Sequence, residues 1–203
     1  MRNTQTKPKI KDDDSDLIIR IQNGETDLYE ELLMRYEVKI YNFGLRMCKD
    51  QSDAEDLVQE TFINIFRYLK DFRMESKFKN WTYKIASSVC MKIKNKKKSS
   101  QKDISFEDLV PDTEKEISGK IPPWVNQPVE ALMNKEISRE IKKEIDKLPP
   151  KYRIILVLRD MEGFSTQEVS EIINISESNV KVRLHRARSS VRQGLKRYFS
   201  DDR

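Results

Sequence analysis

The stretch Gly163–Arg188, "GFSTQEVSEIINISESNVKVRLHRAR", decides how the C-terminal third of this chain folds. Ser165 followed three residues later by Glu168 makes a capping box, so a helix starts at Thr166. Asn174 suits a left-handed stop after Ile173, and Ser176 suits the next N-cap. Two helices joined by so short a turn make a helix-turn-helix. At about 100° per residue, Val180, Leu184, Ala187 and Val191 share one face of the second helix and pack inward. Ser178, Lys181, Val182 and His185 then point away, with Asn179 and Arg186 on the flank. From Glu177 to Phe199 there are seven Lys or Arg and one acid. A basic helix by itself can be a solvated face. On a capped second helix the same charge reads as an element for the major groove, with cations on phosphates and outward polar groups on bases.

Outward from this motif, apolar residues recur at intervals of three and four and Gly is scarce, so the chain reads as all-α. Helices at about Val129 to Lys147, Pro150 to Met161, Thr166 to Ile173 and Glu177 to Phe199 form a C-terminal module, residues 129–203. Four of the seven prolines fall between Ser99 and Pro128 without an apolar period, which reads as a flexible or irregular linker, residues 99–128. Residues 16–98 form an N-terminal module behind a polar tail, residues 1–15. Its helices are about Asp16 to Asn23, Thr26 to Cys48, one opened by Ser52 with Glu55 as its capping box, and about Phe78 to Lys98. The third of these has a core face of Leu57, Thr61, Ile65 and Leu69 beside Val58, Phe62 and Phe66. The fourth buries Trp81, Ile85, Val89 and Ile93, leaving Tyr83 and Lys84 off that face.

Composition excludes several classes of function. The chain has 203 residues, a net charge of +5 and a pI of about 9.0. Its longest apolar run, Ile154 to Leu158, falls far short of the roughly 20 residues a bilayer needs, and the N-terminus has no signal-peptide core. A cytoplasmic protein without membrane insertion is expected. Cys48 and Cys90 stand in neither a redox nor a zinc spacing and read as packed hydrophobes. Gly119-Lys120 is no phosphate loop, since Glu114 and Ile121 occupy positions that need Gly and Ser or Thr. His185 is the sole histidine. No catalytic residue, metal site or cofactor is expected.

One stretch opposes the basic charge. Asp50 to Phe66, "DQSDAEDLVQETFINIF", holds five acids and no Lys or Arg. Positions 53, 56 and 60 share a helical stripe opposite the Leu57/Thr61/Ile65 face, so they are a solvated face or the docking site of a protein partner. In the following helix Trp81, Tyr83 and Lys84 mix aromatic and basic groups, a combination that can stack on unpaired bases.

In this order the parts resemble the bacterial sigma-70 family, and its extracytoplasmic-function (ECF) group in particular. The matching stretches are "DAEDLVQETFINIF" and "FKNWTYKIA" for region 2 and "LPPKYRIILVLRDMEGFSTQEVSEIINISESNVKVRLHRAR" for region 4. The resemblance implies a subunit that binds core RNA polymerase and directs it to promoters through −10 and −35 elements. It implies polymerase docking on the clamp helices of the largest subunit by Asp53, Asp56, Gln59 and Glu60. It implies −10 capture by the loop from Phe72 and by Lys77, Phe78, Lys79, Asn80, Trp81, Tyr83, Lys84 and Ser88. It assigns −35 reading to Thr166, Gln167, Ser178, Asn179, Lys181, Val182, His185 and Arg186, and it implies an anti-sigma factor as a further partner. The chain departs from the family at Ser87-Ser88, where an Asn often takes the second position, and at Ser170 and Asn174, which replace a common Ala and Gly. The rival readings are a conventional helix-turn-helix regulator and an enzyme acting on nucleic acid. The first leaves the acidic stripe unexplained, and the second needs a second carboxylate set or a nucleophile with its base.

Overall fold

The computed structural model describes residues 9–98 and 133–201, and no strand occurs among them. The elements are α1 (Ser15–Gln22), α2 (Leu28–Cys48), α3 (Gln51–Tyr68) and α4 (Phe78–Lys98), then α5 (Met133–Lys147), α6 (Pro150–Leu156), α7 (Thr166–Ile173) and α8 (Glu177–Asp201). A 3-10 turn at Leu69–Asp71 extends α3, and a π-helical turn at Val157–Met161 extends α6. Residues 1–8, the linker at 99–128 with its Gly119-Lys120, and residues 129–132 lie outside the described residues.

Local chemistry sets most boundaries. Gly24 at φ +111° ends the turn after α1, a conformation that costs little without a Cβ. Pro150 opens α6 at a position where its missing N–H is not needed. Ser165 accepts from the Glu168 backbone N–H while the Glu168 carboxylate accepts from Ser165 N–H, the reciprocal cap expected for α7. Asn174 stops that helix at φ 55°, and Ser176 Oγ accepts from Asn179 N–H at the start of α8. The cap of α3 differs from expectation. Lys49 takes the left-handed conformation that ends α2, which leaves Asp50 as the extended residue, and Asp50 rather than Ser52 accepts from Asp53 N–H.

The first module closes around Ile18, Leu32, Ile40, Phe43, Met47, Leu57, Ile65 and Leu69. Gly44 lets α2 and α3 approach closely, since a Cβ there would stand 3.1 Å from Ala54 Cα. The second module packs Val180, Leu184 and Ala187 of α8 against α6 and α7, as the periodicity predicts. The two modules also share one apolar core, in which Ile155, Leu158, Phe164 and Val169 continue the cluster begun by α2 and α4. Arg153, buried on α6, bridges them. Its guanidinium donates to the carbonyls of Ile145, Asp146 and Leu148 in its own module and to Met47 O in the other.

Candidate nucleic-acid and polymerase interfaces

On α3, Asp56, Gln59 and Glu60 are exposed and Asp53 is half-buried. Their stripe ends in Ile63, which is 50% exposed, and Arg67. Asn64 Nδ2 donates to Glu60 Oε1 at 3.1 Å and steadies that carboxylate. Phe66 does not join the core as its spacing suggests. It is 62% exposed, tilted against Tyr29, and with Leu33, Phe62 and Ile63 it lines an open apolar groove between α2 and α3. The physical reason lies in the pairing of the helices. The tight contact at Gly44 and Ala54 turns the 54/57/61/65 stripe inward and rotates Phe66 to the rim.

On α4 the expected DNA-facing residues divide into two sets. Lys77, Trp81, Lys84 and Ser88 follow one another at helical spacing on an outward stripe, with Trp81 half-buried and the other three exposed. The Trp81 ring rests on Phe72 (centroids 4.8 Å apart) and Phe78 (5.7 Å), and Phe78 itself is core. Asn80, Lys79 and Tyr83 form the other set, about a third of a turn away, and the second module covers them. The expected environments of the two aromatics are therefore reversed. Tyr83 is fully buried, edge-on to Phe43 and Phe164, whereas Trp81 keeps part of its ring at the surface. Periodicity within α4 shows only the face turned to its own module, and the face covered by α7 and the preceding turn is invisible to it.

The covering contacts are specific. Glu162 receives the Tyr83 hydroxyl at 2.5 Å and an ion pair from Arg46, while its carbonyl accepts from Lys79 Nζ at 3.1 Å. Lys79 Nζ also sits 4.4 Å over the Phe164 ring. Asn80 Nδ2 donates to Glu168 Oε1 at 3.2 Å, and Lys77 pairs with the same carboxylate at 3.6 Å. Burial first, and the hydrogen bond to Glu162 second, push the Tyr83 hydroxyl above the usual tyrosine range. At Glu168 burial opposes ionisation, but the Ser165 N–H, Asn80 and Lys77 outweigh it and hold the carboxyl below its usual value. The fit is incomplete, because Asn80 Oδ1 is buried and has no hydrogen-bond partner among the described residues. A buried acceptor left unpaired costs roughly 1–3 kcal/mol.

On α8 the second helix of the motif presents Ser178, Lys181, Val182 and His185 to solvent, with Asn179 and Arg186 half-buried beside them. Gln167 is exposed and Thr166 half-buried at the start of α7. Arg188 is held by Asp160 through two bonds, at 2.9 and 2.5 Å, so it braces the motif from behind. Among the described residues there is no cluster of three or more His, Cys, Asp or Glu that could hold a metal ion, and no helix long and apolar enough to cross a membrane.

A two-module helical protein that carries a helix-turn-helix has the parts of a DNA-binding protein, and sequence comparison gives its family. Residues 32–100 match Sigma-70 region 2 and residues 138–191 match Sigma-70, region 4. The chain is 32% identical over 183 residues to the ECF RNA polymerase sigma factor SigW of Bacillus subtilis, covering 88% of this chain and 95% of that protein. It is 30% identical over 179 residues to the ECF RNA polymerase sigma-E factor of Haemophilus influenzae, covering 88% and 93%. The chain belongs to the ECF group of the sigma-70 family. The fold is similar to CnrH in its complex with the cytosolic domain of CnrY, with TM-score 0.64, 19% identity and coverage of 91% and 98%. It is also similar to the sigma factor RpoE of Bartonella quintana in complex with the anti-sigma factor NepR, with TM-score 0.60, 20% identity and coverage of 83% and 96%.

Proposed function

We propose that this sigma factor docks on the clamp helices of core RNA polymerase through Asp53, Asp56, Gln59 and Glu60, with the Ile63 and Phe66 rim as the apolar part of the same surface. The single observation that carries this reading is the acidic stripe standing exposed beside an unfilled apolar groove, on a protein whose other working faces are basic. A basic amphipathic helix satisfies both halves of such a surface.

In the same reading α8 takes the −35 element, with Ser178, Lys181, Val182 and His185 over base edges and Asn179, Arg186, Thr166 and Gln167 beside them. The outward stripe of α4 takes the −10 strand, with Trp81 as the stacking surface between Lys77 and Lys84 and with Ser88 further along. Phe78 supports Trp81 from the core. Lys79, Asn80 and Tyr83 reach DNA only once the second module has moved off α4. The protein performs no bond chemistry of its own, works in the cytoplasm, and is held inactive by an anti-sigma factor as its further partner.

The test uses full-length protein with core polymerase and a randomised promoter library, followed by sequencing of transcript starts. Enrichment of paired −10 and −35 elements is expected. Asp56→Ala with Glu60→Ala should weaken polymerase binding and leave duplex binding by α8 intact, since exposed acids contribute little to stability. Unchanged polymerase affinity in the double variant would remove the docking assignment, and site binding with no dependence on polymerase would favour a conventional regulator.

A further inference from the structure

The loop entering α4 is fastened from outside at three places. At its start, Gln22 Nε2 on α1 donates to Leu69 O and to Phe72 O, both at 2.9 Å. In its middle, Met74 adopts a left-handed conformation at φ 58°, and its carbonyl accepts from Ile10 N–H at 2.7 Å. At its end, Asp12 Oδ2 accepts from Phe78 N–H at 2.6 Å. Asp12 is thus a capping carboxylate for α4 supplied from 66 positions earlier in the chain.

The segment that supplies these partners is itself fixed. Asp12 Oδ1 accepts from Ser15 Oγ at 2.9 Å, and Asp12 N–H donates to the same hydroxyl at 2.8 Å. Asp14 is buried, and its carboxylate accepts from the Tyr36 hydroxyl and from Arg35 on α2. One side of this segment is therefore pinned to α2, and the other reaches the loop. A polar N-terminal tail is expected to be loosely held unless something ties it down. Here residues 10–14 are tied down by the hydrogen bonds of Asp12, Asp14 and the Ile10 N–H, and the loop they hold ends on the aromatic cluster beneath Trp81.

We propose that residues 10–14, together with Gln22, are a positioning strap that sets the shape of the α3–α4 loop and the angle at which α4 presents Trp81 and Lys77 to the −10 strand. Asp12 and Gln22 are positioning residues, acting through Phe78 and Phe72 and not by touching DNA. The inference rests on the proposed role of α4. Loss of the cap frees the first turn of α4, and loss of the Gln22 amide frees the carbonyls of Leu69 and Phe72. Both changes blur the placement of Trp81 while leaving α8 and the acidic stripe of α3 as they are.

The test uses the full chain with core polymerase on the promoter enriched from the library. Permanganate reactivity of −10 thymines reports opening, and a repeated library selection reports base preference. Asp12→Ala and Gln22→Glu should each lower the opened fraction about tenfold, the scale of a lost helix cap, and should relax preference within the −10 element while the −35 preference stays. Asp12→Asn, whose Oδ1 can still accept from Phe78 N–H, should restore opening to within about twofold of wild type. Polymerase affinity should change little in all three, and the melting temperature should fall by only a few degrees in Asp12→Ala, the scale of one lost cap. Wild-type opening and −10 preference in Asp12→Ala and Gln22→Glu overturn the strap, as does a parallel fall in polymerase affinity, which marks general damage to the module. A wild-type chain that opens no promoter overturns the assignment of α4 and this inference with it.

Discussion

The two helices proposed to face DNA differ in a way their compositions do not foretell. Both are basic and both carry a stripe at helical spacing, yet α8 shows its stripe to solvent while α4 keeps half of its polar set under the other module. The difference is one of neighbours. α8 is the outer helix of its motif, with α6 and α7 behind it, whereas α4 stands in the middle of the molecule between α2, α3 and α7. A residue expected to face DNA is therefore a satisfied interface residue in this arrangement, and the hydrogen bonds around Glu162 and Glu168 are what it would give up on leaving it.

The largest effect should come from truncating Tyr83. Tyr83→Ala removes a fully buried ring and should cost about 3–5 kcal/mol of stability, by thermal melting, masking any role on DNA. Tyr83→Phe separates the two, because it deletes only the hydroxyl bonded to Glu162 and should cost about 1 kcal/mol. A Tyr83→Ala chain as stable as wild type would mean that the covered half of α4 is not covered in solution.

Glu162→Ala comes next. It leaves Arg46 and the Tyr83 hydroxyl without their shared acceptor and should weaken the module–module contact by about 2–3 kcal/mol. The radius of gyration from small-angle scattering should rise; no change would show that the apolar contacts around Phe164 hold the modules together unaided. Lys181→Ala, on the open helix, should do the opposite. It should leave that radius unchanged and alter −35 base preference at roughly 1–3 kcal/mol per lost base contact. A uniform, sequence-independent loss would place Lys181 on phosphate instead.

The smallest effect is expected from acid. Glu168 has its carboxyl held below the usual value in the packed state, so its contribution is complete above the ordinary carboxylate range and is lost as pH falls through the lowered value. Below the ordinary carboxylate range, and not between that range and pH 7, the contact should therefore loosen, by roughly 0.5 kcal/mol from this partly exposed pair. Glu168→Gln should flatten that part of the pH dependence, and an identical profile in the variant would assign the loosening to other acids.

Much of this architecture was legible in the sequence, and the failures are informative. Ser165, Glu168, Asn174 and Ser176 place the helix-turn-helix correctly because caps and left-handed stops are local chemistry. The inward face of α8 follows from its period for the same reason. Asp50 displaced Ser52 as a cap because Lys49, a residue with no strong left-handed preference, turned the chain one step earlier. Phe66 and Tyr83 exchanged their expected environments for a reason no single-helix period contains. Phe66 lies on the rim of the α2–α3 pair, against Tyr29 and outside its buried stripe, and Tyr83 meets Phe164, which is 81 positions away in the chain and belongs to the other module. The N-terminal residues looked like a tail because their partners, Met74 and Phe78, are backbone groups that carry no mark in the sequence.

Arg153 carries a consequence for how the two modules can part. Its guanidinium is buried, and burial pulls its pKa below the usual arginine value, so a proton-bearing cation sits where water is scarce. Of its four carbonyl acceptors, three stay with it in any arrangement of the modules, because Ile145, Asp146 and Leu148 belong to the same helical hairpin. Only Met47 O is left behind. Separation at this point therefore breaks two bonds, Arg153 to Met47 O and Lys49 Nζ to Asp146 O, and admits water to the ends of both. The C-terminal hairpin keeps its own bracing throughout, because three of the four acceptors travel with Arg153.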